Sequence, residues 1–95
     1  MWYFFSGEFI KSAQHLEASV AAVQAVYGPD SIELGNELQK LSEVLISGQQ
    51  WKKALAANQR AVTIFEKNYG QSHNTVKDLH SAQTELEDVI KMLKL

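Results

Sequence analysis

The apolar stripe of residues 9–27 recurs, step for step, 42 residues further along the chain. The first copy reads Phe9, Ala13, Leu16, Val20, Val23, Tyr27 and the second Trp51, Leu55, Asn58, Val62, Phe65, Tyr69, both with steps of four, three, four, three and four. Gly28 and Gly70 follow the two copies at the same offset. Steps of three and four place side chains on one face of an α-helix. A repeat of this length marks a supersecondary unit that buries its apolar face against its neighbours. The pattern therefore predicts an all-α chain built by stacking antiparallel helices.

The punctuation agrees with this reading. A single proline occurs among 95 residues, and Ala, Leu, Glu, Gln and Lys are abundant. Tyr27-Gly28-Pro29-Asp30 and Tyr69-Gly70-Gln71-Ser72 are helix stops, because glycine takes a left-handed turn without penalty and proline cannot continue a helix. Ser47-Gly48-Gln49-Gln50 is a tighter break, again with glycine expected in the terminating position. Asp30-Ser31-Ile32-Glu33 is a start: the Asp30 side chain is expected to accept from a first-turn amide while Glu33 reaches back. Four helices are predicted, over 8–27, 31–47, 49–69 and 74–93. The second carries Leu34, Leu38, Leu41 and Leu45, and its short break before the third forces an antiparallel hairpin. The fourth has a narrow stripe, Val76, Leu79, Ala82, Leu86, Val89 and Leu93, within charged surroundings, as a terminal capping helix requires. The division is thus a second helix of a truncated repeat (1–28), a complete helix pair (29–70) and a terminal helix (71–95).

Composition removes several function classes. No cysteine means no disulfide, thiolate zinc site, iron–sulfur cluster or cysteine nucleophile in these residues. His15, His73 and His80 fall on different helices or caps without the i, i+4 pairing of a zinc site. No Gly-x-Ser-x-Gly elbow occurs, and the five glycines stand singly, so neither a hydrolase nucleophile nor a phosphate-cradling loop is written here. No cofactor or metal is expected. The net charge of −2 gives no general attraction to nucleic acid or acidic lipid. Lys52 and Lys53 beside Trp51, with Arg60 and Lys67, read as a solvated helix face, since Trp51 lies on the apolar stripe. No apolar run approaches the roughly 20 residues of a membrane span, and Met1-Trp2-Tyr3-Phe4-Phe5 lacks the basic start of a signal peptide. A soluble chain of the cytoplasm, the nucleus or both is expected.

Gly7-Glu8-Phe9 followed by Ser12, and Trp51 followed by Ala54 and Ala61, resemble the second-helix signature of tetratricopeptide repeats, with Ser12 where that family usually has Ala. The linker from Tyr27 to Leu34 resembles the 42-residue, long-linker variety found in kinesin light chains. The stretch from Val26 to Leu41, closed by Ser47-Gly48, is similar to the carboxy-terminal helical region of SET and MYND domain-containing proteins; the similarity covers about residues 5–70. That resemblance implies kinship with S-adenosylmethionine-dependent lysine methyltransferases. Their cysteine-rich zinc modules and cofactor motif have no matching positions here, so the resemblance implies a non-catalytic carboxy-terminal fragment or short form. The alternative is an independent adaptor or scaffold that binds a peptide or self-associates.

The candidate partner contacts are Gln39 and Glu43 on the inner face of the second helix, and Asn58, which interrupts an apolar stripe. An acidic Glu43 would repel a peptide carboxylate, which disfavours chaperone-tail recognition. Asn58 is read either as bonded to a neighbouring backbone or as a contact to a peptide. The first long helix is expected to lack its packing partner, leaving Phe9, Leu16, Val20 and Val23 as exposed-interface candidates. The four aromatics Trp2 to Phe5, an upstream segment of the same protein, or a second copy in a homo-oligomer would cover that face.

Overall fold

The computed structural model describes residues 7–94, with side chains described from Lys11 onward. The side chain of Phe9, an interface candidate, therefore lies outside what is described, as does the whole Trp2 to Phe5 run expected to cover it. Four α-helices follow one another: α1 (Gly7–Tyr27), α2 (Ile32–Ser47), α3 (Trp51–Tyr69) and α4 (Asn74–Leu93). Each packs against the next in chain order, α1 on α2, α2 on α3 and α3 on α4. The array measures 35 × 30 × 19 Å. Its thinnest dimension is about two helix diameters, so this is a two-layer stack.

The caps explain where each helix begins and ends. Gly28 (φ 99°) and Gly70 (φ 86°) adopt left-handed backbone at the ends of α1 and α3. Their N–H groups donate to Gln24 and Glu66 carbonyls, each at 2.9 Å. The start of α2 differs from expectation. Ser31, not Asp30, is the cap: its Oγ accepts from the Leu34 N–H at 3.2 Å and donates to the Gly28 carbonyl at 3.0 Å. With Ser31 capping, Glu33 falls one residue short of the position from which it could reach back. Asp30 turns instead toward α3, where Lys67 Nζ donates to its carboxylate at 3.1 Å and Asn68 Nδ2 to its carbonyl at 2.9 Å.

The α2–α3 break also differs. Gly48 has φ −90°, and the left-handed residue is Gln49 at φ 62°. Gln50 N–H donates to the Leu45 carbonyl at 2.8 Å and Gln49 N–H to Ile46 at 3.0 Å, the paired bonds of a Schellman turn. That motif places its left-handed residue after the cap, so α3 starts at Trp51 rather than 49. At α4, His73 caps the helix through Nδ1, which accepts from the Thr75 N–H at 3.2 Å.

The core runs through the stack. Leu34, Leu38, Leu41 and Leu45 of α2 are buried, as are Val62 and Phe65 of α3 and Val76, Leu79 and Leu86 of α4. Helix α3 buries a second face, Ala54, Ala57, Ala61 and Ile64, which the stripe reading does not contain. Small side chains there let α2 and α3 approach closely. A Cβ at Gly35 would stand 3.1 Å from the Phe65 ring and 3.2 Å from Ile64 Cγ2. Ser42 Oγ donates to the Ala54 carbonyl at 3.2 Å in the same contact. The stripe-ending residues Tyr27, Tyr69 and Leu93 are exposed rather than buried. Tyr69 stacks between Phe65 (centroids 5.7 Å apart) and His73 (4.4 Å).

Candidate interaction surface

Helix α2 has buried neighbours on two sides and presents one stripe to solvent. Glu33, Asn36, Lys40 and Glu43 are exposed at steps of three, four and three, hence on a single face. Glu37 and Gln39 are half-buried at its margins. Lys40 Nζ donates to Glu37 Oε1 at 3.2 Å. Of the sequence candidates, Glu43 lies on this stripe and Gln39 at its edge, one turn apart, so these two are neighbours.

Asn58 is not on that surface. It is only 2% exposed, and its Nδ2 donates to the Leu79 carbonyl at 3.0 Å, tying α3 to α4. A buried amide inside a helix stack is costly unless bonded, and Leu79 supplies that bond, so a contact to a peptide is replaced by an internal tie. The α1 candidates are also placed differently. Val20 is 7% exposed, and Leu16 and Val23 are half-buried against the core. The face expected to stand open is the one that α2 covers. A helix in a stack has two packing faces, and the wide apolar stripe of α1 belongs to its downstream neighbour. Among the described residues, the large apolar side chains that α1 exposes are instead Val26, 75% exposed, and Tyr27.

The histidines do not converge. His15 is exposed, His73 caps α4, and His80 Nε2 lies 3.2 Å from Glu66 Oε2. Among the described residues no group of three or more His, Cys, Asp or Glu side chains could hold a metal ion. No described helix is long and apolar enough to cross a membrane. Trp51 packs against the core, while Lys52 and Lys53 are exposed beside it.

The repeat offset shows how the two ends of the array differ. The α2 positions that meet α3, namely Gly35, Leu38, Ser42 and Leu45, correspond 42 residues later to Lys77, His80, Thr84 and Glu87. All four are exposed on α4. Where α2 offers leucines and small residues to its following helix, α4 presents charges and a hydroxyl to solvent. A tetratricopeptide repeat family model matches residues 1–67. The chain belongs to the tetratricopeptide repeat family. The match takes in α1, α2 and all but the last two residues of α3, and α4 lies beyond the matched residues.

The chain is similar to part of the protein-lysine N-methyltransferase SMYD4 from several vertebrates. It is 35% identical to that of Mus musculus over 82 residues, 86% of this chain and 10% of that protein. It is 33% identical to that of Gallus gallus over 78 residues, 82% of this chain and 10% of that protein. It is 41% identical to that of Danio rerio over 59 residues, 62% of this chain and 8% of that protein. The chain thus spans about a tenth of the length of the curated relatives it matches. No solved structure gives a significant match.

Proposed function

We propose that this chain is a non-catalytic protein–protein interaction module corresponding to the tetratricopeptide part of a SET and MYND domain-containing lysine methyltransferase. In that setting it supports or positions catalysis rather than performing it. The observation that carries the reading is the α2 stripe of Glu33, Asn36, Lys40 and Glu43, an exposed polar face on a helix held rigidly from both sides. Such a face gives a partner charge and hydrogen-bond complementarity without reorganisation of the scaffold. The partner class is a protein or peptide, or another segment of the same polypeptide, in the cytoplasm or nucleus. No cofactor is required.

A photo-crosslinking amino acid at Asn36 tests this in cells. The reading expects discrete crosslinked protein products at Asn36, diminished by the double reversal Lys40→Glu and Glu43→Lys, and few from a control at exposed Gln59 on α3. Equal crosslinking at both positions would contradict it. So would transfer of methyl from S-adenosylmethionine to any protein by the purified chain alone.

A further inference from the structure

We draw no further inference here: the strongest candidate, the outer face of α1 at Ser12, Ser19, Ala22 and Val26, which is half-buried to exposed where the matching face of α3 is largely buried, is a stripe of small residues and nothing in the structure shows what covers it.

Discussion

Gly35 stands where α2 packs tightly on Phe65 and Ile64 of α3, and its hydrogen is part of the packing. An added Cβ would meet two ring carbons of Phe65 at 3.1 Å. Phe65 is fully buried and backed by the Tyr69 ring, so it has little room to yield. Overpacking costs about 1–3 kcal/mol, against about 1 kcal/mol gained in helix propensity. Gly35→Ala is therefore expected to lower stability by about 1 kcal/mol, read as a lower urea midpoint at unchanged slope. At Gln49 the sign reverses. A side chain in left-handed backbone costs about 1–2 kcal/mol, part of which glycine returns as unfolded-chain entropy. Gln49→Gly is expected to raise stability by about 0.5–1 kcal/mol in the same titration. Asn58 separates two further outcomes. Asn58→Ala removes a hydrogen bond at a cost of about 1–3 kcal/mol. Asn58→Asp sets a buried carboxylate against the Leu79 carbonyl and is expected to destabilise more than the alanine variant does.

At the scale of the helices, the start of α2 offers a sharp test, because Asp30 and Ser31 are adjacent and only one of them caps. Ser31→Ala is expected to cost about 1 kcal/mol, the usual worth of an N-cap. Asp30→Ala removes an exposed ion pair with Lys67 and is expected to cost under about 0.5 kcal/mol. Thermal unfolding followed by circular dichroism checks the order, and an equal or reversed loss would contradict the assignment. The four helices themselves were legible because glycines end the first three and the leucine and valine steps repeat. What escaped the sequence reading has physical causes. Asp and Ser both cap well, so composition cannot choose between neighbours; the choice falls to Lys67 and Asn68, which hold Asp30 from a helix 37 and 38 residues away. Gly48 masks the left-handed position because a Schellman turn can place a non-glycine there. The second buried face of α3 was legible only in part: Ala54 and Ala61 read as the small residues of close helix approach, whereas Ala57 and Ile64 fall outside both that pair and the stripe.

For the whole molecule, the repeat is the informative quantity, both where it holds and where it breaks. The offset that aligns α1 with α3 assigns each helix its packing neighbours. Its failure between α2 and α4 leaves the matching face of α4 polar and exposed. The surface candidates divide accordingly: Gln39 and Glu43 sit at or beside the solvent stripe, Asn58 takes the internal one of its two readings, and Val20, Leu16 and Val23 pack against the core because each helix in a stack has a second packing face. In such stacks stability is the sum of repeat and interface terms. The absence of cysteine in all 95 residues makes one experiment especially clean. Ser42→Cys on α2 and Thr84→Cys on α4 occupy equivalent positions in the repeat, and their rates of thiol labelling in the native chain compare a buried helix face with its exposed counterpart. Thr84→Cys is expected to react as fast as an unfolded peptide, and Ser42→Cys on the order of a hundredfold more slowly, because only the latter waits on opening of the α2–α3 contact. Comparable protection of both thiols would contradict the account, since it would mean that the outer face of α4 is packed as the inner face of α2 is.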